Sequence, residues 1–153
     1  MEKRAQTTMG ELSLTSRSPG AVLDTNVVLD WLLFADPAVF ALAAAVMSGR
    51  VRWLATTAMR DELASVLARG LAATRGVDAA ALLAAWDAHA QPQAASPAQS
   101  LRCSDPDDQK FIDLAVAAGA RWLVSRDRAV LALARRAAPS GLTILGPAQW
   151  RLA

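Results

Sequence analysis

Ala21-Val22-Leu23-Asp24-Thr25-Asn26-Val27-Val28-Leu29 is the stretch on which the fold turns. Ala21 to Asp24 reads as a short buried strand. Thr25-Asn26 turns the chain, and Val27–Phe34 reads as a helix. The same alternation recurs downstream. Asp36 caps a helix with Pro37 at its first position, and that helix runs to Gly49. Val51–Ala55 is a second strand, and Thr56 or Thr57 caps a helix reaching about Arg69. An amphipathic helix covers roughly Asp78–Ala90, and Gln91–Ser100 is a loop with room for a short strand. Asp105-Pro106-Asp107-Asp108 opens a helix that stops at Gly119. Arg121–Ser125 is a strand, Asp127–Ala138 a helix and Leu142–Leu145 the last strand. Strands alternating with helices predict an α/β fold: a three-layer α/β/α sandwich around a central, mainly parallel sheet of four or five strands.

The chain has 153 residues, of which 54% are hydrophobic, so one domain with a packed core is expected. Residues 1–20 are polar, lack periodicity and end in Pro-Gly. They read as a flexible tail, or as an over-long start with Met9 as an alternative initiator, and the folded domain is expected over 21–153. One cysteine, Cys103, excludes an internal disulfide and a Cys-rich zinc site. One histidine, His89, excludes two-histidine chemistry. Cys103 reads as a small buried hydrophobe, and His89 as a helix-end residue favoured by the dipole. Of sixteen basic residues only Lys3 and Lys110 are lysines, and the net charge is +2. Arginine suits bidentate phosphate contacts, so a nucleic-acid partner is permitted but not demanded. No apolar run approaches the roughly 20 residues of a membrane span, Ala38–Met47 being too short. No membrane partner and a cytoplasmic location are the expectations.

The acidic residues carry the chemistry. Asp24 ends the first strand, and Asp127 follows the strand Arg121–Ser125. Asp107 and Asp108 stand at a helix start. Glu62 lies one to two turns into the helix after the second strand, and it is the only glutamate outside the tail. In a parallel sheet the site lies at the carboxyl ends of the strands, where these residues are expected to meet. Carboxylates so gathered repel, by about 4 kcal/mol at roughly 4 Å and an effective dielectric near 20. A divalent ion with oxygen ligands, Mg²⁺ or Mn²⁺, would remove that repulsion, orient water and lower its pKa. No basic residue is expected to pair with these acids. Each Asp also has a structural reading as a helix cap, and Asp61-Glu62 as a solvated pair.

Five segments then resemble one family. Val22-Leu23-Asp24-Thr25-Asn26-Val27-Val28-Leu29 resembles the opening signature of PIN domains, and Asp61-Glu62-Leu63 their second acidic segment. Cys103 to Phe111 resembles the Asp-Pro-Asp-Asp-x-x-Phe block of one branch. Trp122 to Asp127 resembles the Leu-Val-Thr-x-Asp segment, and Ile144 to Trp150 the closing strand and tail. The resemblance spans residues 21–152 in order, within the branch similar to VapC-type toxins of type II toxin–antitoxin systems. It implies a metal-dependent endoribonuclease in which metal-activated water hydrolyses RNA. It implies Asp24, Glu62, Asp108 and Asp127 as the catalytic, metal-holding quartet with Mg²⁺ or Mn²⁺. Asp107 competes with Asp108, which is preferred because it leads the apolar face through Phe111. Asn26 would orient Asp24 or the scissile phosphate. Ser125 keeps the hydroxyl of the family's threonine. Arg126 and Arg128 stand as phosphate contacts, or equally as solvated surface. The implied partners are RNA and a cognate antitoxin protein, with a homodimer open.

Two other readings compete. One is a PIN-fold module that binds RNA or protein without cutting. The other is a haloacid-dehalogenase-like phosphatase. That family needs a second Asp where Asn26 stands, and a lysine before a late acidic pair, whereas Lys110 follows Asp107-Asp108.

Overall fold

The computed structural model describes residues 18–152. Five parallel strands form the central sheet: β1 (Gly20–Leu23), β2 (Arg52–Thr56), β3 (Ala90–Gln93), β4 (Trp122–Val124) and β5 (Thr143–Leu145). Their spatial order is β3-β2-β1-β4-β5. The helices between them are α1 (Thr25–Leu32), α2 (Phe40–Met47), α3 (Thr57–Ala68), α4 (Leu71–Thr74), α5 (Ala79–His89), α6 (Gln109–Ala117), α7 (Arg128–Leu131) and α8 (Ala134–Ala137). This is the predicted α/β sandwich, with the five-strand option realised. No single helix among the described residues is long and apolar enough to cross a membrane.

β1 is the centre of the molecule. Ala21, Val22 and Leu23 are at most 1% exposed, which is why the strand is apolar without alternation. Its two faces pack against a core that includes Phe111 and Ile112 of α6, Leu63 of α3 and Val27 of α1. Trp53 on β2 lies between Trp31 (5.4 Å between ring centroids) and Trp86 (4.7 Å), so half-buried Trp31 belongs to an aromatic cluster.

The chain leaves β1 toward β2 and β3, then returns to β4 on the other side. The strand order therefore reverses between β1 and β4, and a crevice opens beyond their carboxyl ends. Asp24 and Asp127 follow those two strands.

Several boundaries differ from expectation, each for a physical reason. Order begins before Ala21. Arg52 donates from its amide to the Pro19 carbonyl (2.9 Å) and from Nε to the Ser18 carbonyl (2.7 Å), while the Ser18 hydroxyl donates to the Gly49 carbonyl (2.8 Å). Gly20 is thus a strand residue and not the end of a tail. A Cβ there would lie 2.7 Å from Leu54 Cδ1. The earlier part of the expected tail, residues 1–17, lies outside the described residues. β3 is a real strand although its sequence is polar, because backbone pairing with β2 suffices at an edge, where Pro92 is tolerated. The expected helix Asp127–Ala138 is broken into α7 and α8. An i→i−3 bond from the Leu133 amide to the Val130 carbonyl (3.0 Å) tightens the chain there, and Val130, Leu133 and Ala137 all stay buried.

Candidate active site

The crevice holds a hollow of about 170 Å³ whose lining includes Asp24, Asn26, Glu62, Asp108 and Asp127. Two larger hollows exist, of about 310 and 420 Å³. The first contains one carboxylate, Asp87, already paired with Arg60, and the second contains none. Size therefore does not locate the chemistry here, and the convergence of acids does.

Asp24 caps α1 and is only 4% exposed. Its Oδ1 accepts from the Val27 amide (2.9 Å), and its Oδ2 accepts a short hydrogen bond from the Ser125 hydroxyl. Burial raises the pKa of this carboxyl above its ordinary value. The bonds from Ser125, Val27 and the Arg126 amide oppose that rise. Ser125, fully buried at the end of β4, uses its one oxygen twice, donating to Asp24 and accepting from the Asp127 amide at 3.0 Å. A single hydroxyl thus ties the first acidic segment to the last.

Asp127 caps α7 through Oδ1 to the Ala129 amide (2.8 Å). Asp105 caps the 3₁₀ turn Pro106–Asp108 through Oδ1 to the Asp107 amide (3.0 Å). Capping and clustering are therefore not alternatives. A carboxylate can satisfy a helix amide with one oxygen and present the other. Asp105, Asp108 and Asp127 each bring one oxygen within 4.8 Å of the other two.

Asp108 is different. It makes no side-chain capping bond, and its Oδ2 is buried without a hydrogen-bond partner among the described residues. Burial, then the charges of Asp127, Asp105 and Asp24, push its pKa up to about 7. A buried, unpaired anionic oxygen among like charges is stable only with a proton or a cation. The donor set is all oxygen, which fits a hard divalent ion such as Mg²⁺ or Mn²⁺.

Glu62 lines the hollow but is differently engaged. It accepts a short hydrogen bond from the Thr25 hydroxyl, and its Oε1 lies 3.0 Å from Lys110 Nζ. The expectation that no basic residue pairs with the acids is corrected here. α6 brings Lys110 across to α3, a contact between residues 48 positions apart that local pattern cannot reveal.

The remaining candidates are spread around this core. Asn26 is exposed where it lines the hollow. Asp107 is exposed and does not line it. The Asp107 amide binds Asp105, and its carbonyl accepts from Lys110 Nζ (2.5 Å). Arg126 is held by two carboxylates, with Nε 2.6 Å from Asp30 and Nη2 3.0 Å from Asp36, so its guanidinium serves α1 and the turn after it. Arg128 is exposed at the first position of α7. Cys103 lies beside the cluster, and burial raises its thiol pKa. His89 is half-buried near Trp31, with ring centroids 5.7 Å apart.

Three residues at the site escaped the candidate set. Asp105 carried a signal, since Asp before Pro at a helix start is a cap and fixes that carboxylate beside Asp108. Thr25 and Lys110 had none beyond their neighbours in sequence.

No curated protein sequence matches the chain. A family model described as PIN domain matches residues 20–129, from the first residue of β1 into the first turn of α7, and so takes in every acid of the cluster. With the match covering most of its length and the acids gathered at the strand-order reversal, the chain belongs to the PIN domain family.

Proposed function

We propose that the protein is a metal-dependent endoribonuclease that hydrolyses phosphodiester bonds in RNA at the Asp24–Asp127 crevice, using Mg²⁺ or Mn²⁺. PIN domains are in general metal-dependent nucleases, and they act on RNA. The observation that carries the reading for this chain is Asp108. Its buried oxygen lacks a partner, its pKa is raised to about 7, and two further carboxylates lie within 4.8 Å.

Asp108, Asp127 and Asp105 would hold the ion, with Asp24 and Glu62 completing the acidic wall. When bound, the ion supplies positive charge to a phosphoryl oxygen and makes water a stronger nucleophile. Asp24, fixed through both oxygens, holds the end of β1 against that of β4. Ser125 transmits this to Asp127, so the carboxylates are set before anything binds, which is what positional catalysis requires. Without a cation, a proton on Asp108, whose pKa is raised to about 7, relieves the repulsion as the pH falls below neutral.

The motif order supports a finer reading: a VapC-like toxin of a type II toxin–antitoxin system, acting in the cytoplasm and held by a cognate antitoxin, with a homodimer as the other partnership. The alternative within the family is a module that binds RNA without cutting.

The test is cleavage of synthetic single-stranded RNA. Cutting is expected with Mg²⁺ or Mn²⁺, and none in EDTA or by Asp24→Asn. Undiminished cutting in EDTA would sink the mechanism, and binding without cutting would establish the module.

A further inference from the structure

We propose that Lys110 is an RNA-contacting residue of this site, its ammonium taking a phosphodiester oxygen beside the acid cluster, an inference that rests on the ribonuclease reading above. Within residues 18–152, Glu62 is the one glutamate and Lys110 the one lysine. Every other acid there is aspartate and every other permanent cation arginine. These two are paired with each other (3.0 Å), at the edge of the hollow that Glu62 lines.

The pairing is of an exchangeable kind. Arg60 and Asp87 show the locked kind, with two parallel contacts of 2.8 and 2.9 Å. Lys110 touches Glu62 through one oxygen only, while the other Glu62 oxygen accepts from Thr25. An ammonium has three donors. Glu62 and the Asp107 carbonyl take two, and the ammonium also lies 4.8 Å from the centroid of the Phe111 ring, so the third makes no oxygen contact among the described residues. The side chains of Lys110 and Glu62 are 29% and 33% exposed, so solvent and substrate reach the pair.

Charge supplies the need. Asp24, Glu62, Asp105, Asp108 and Asp127 repel an incoming RNA backbone. Arg126, the nearest arginine in sequence to Asp127 on its strand side, is taken up by Asp30 and Asp36. Among the described residues Lys110 is the cation in ion-pair contact with the acid wall, and a lysine ammonium binds phosphate as a point charge on a flexible stem.

The test measures binding of a fluorescent single-stranded RNA in EDTA, over a salt series, for the parent, Lys110→Met, Lys110→Arg, Glu62→Gln and the double variant Glu62→Gln/Lys110→Met. Arg69→Met, at the far end of α3, controls for loss of charge alone. Losing one phosphate contact should flatten the log–log salt slope by about 0.7 and weaken binding about fivefold near 0.1 M salt. Lys110→Arg should keep most of the slope, and Arg69→Met should leave it unchanged. Glu62→Gln frees the ammonium and should tighten binding, a gain that mostly disappears in the double variant. A structural pair predicts instead that Lys110→Met and Glu62→Gln weaken binding alike, and that result overturns the proposal. So does an unchanged slope in Lys110→Met while the parent binds. A parent that binds no RNA in EDTA and cuts none with Mg²⁺ or Mn²⁺ overturns the ribonuclease reading itself.

Discussion

Asp108 has no amide to cap and no hydrogen-bond partner for Oδ2, whereas Asp24, Asp105 and Asp127 each accept from a backbone N–H. Their substitutions should therefore differ in sign. Asp108→Asn or Asp108→Ala should raise the melting temperature of the metal-free protein, because repulsion from Asp127, Asp105 and Asp24 disappears and no capping bond is lost. Asp127→Ala should lower stability by about 1 kcal/mol, the usual effect of losing a cap, set against whatever repulsion it relieves. Thermal melts in EDTA check this, and a lower melting temperature for both Asp108 variants would show that its carboxylate is held by something attractive. A pH dependence follows. The ordinary value for this carboxyl is 3.8 and the folded value about 7. Between these the folded chain keeps a proton that the unfolded chain releases, so stability falls as pH rises from about 4 to 7 and levels off above. The fall should be shallower in Asp108→Asn. Mn²⁺ should stabilise the parent by roughly 2.7 kcal/mol at a hundred times its dissociation constant, and Asp108→Asn much less.

At the scale of elements, the site depends on how β1 and β4 end. The Ser125 hydroxyl makes two bonds in a fully buried position, so Ser125→Ala leaves a buried Asp24 oxygen and the Asp127 amide unsatisfied. A loss of about 1–3 kcal/mol is expected, with weaker Mn²⁺ binding by calorimetry. Unchanged stability would mean that water replaces the hydroxyl without loss. The start of β1 gives a second check. Deleting residues 1–17 leaves the bonds of Ser18 and Pro19 to Gly49 and Arg52 in place, whereas a chain beginning at Gly20 loses them. The chain from Ser18 should be the more stable, by roughly 1–2 kcal/mol. Equal denaturation midpoints would show that residues 18–19 merely lie against the sheet.

For the molecule as a whole, the placement of the acids follows from topology. A sheet ordered β3-β2-β1-β4-β5 opens a crevice where the order reverses, and the acids of four segments meet there. If this crevice is a nuclease site in a toxin, expression of the chain alone should slow growth of a bacterial host, and Asp24→Asn should relieve it. Growth curves of the two strains measure this. Harmless expression of a protein active on RNA in vitro would indicate a processing enzyme.

Secondary-structure class, strand parallelism and the four acidic segments were legible in the sequence because they rest on local signals: apolar runs for strands buried on both faces, Asp or Thr at helix starts, glycine at their ends. The match of the acids to the carboxyl ends of strands needed only those assignments and the chain order. What the sequence could not determine is how one carboxylate differs from its neighbour. Asp107 and Asp108 are adjacent and chemically identical, and only the packing of α6 exposes the first and buries an oxygen of the second. The same holds for Asp105, whose role as a cap was readable but whose distance to Asp127 was not. Arg126 read as a free cation until Asp30 and Asp36 came within reach, and Lys110 became a partner of Glu62 only when α6 crossed to α3. Burial and charge pairing depend on contacts between distant segments, and those are set by the packed chain as a whole.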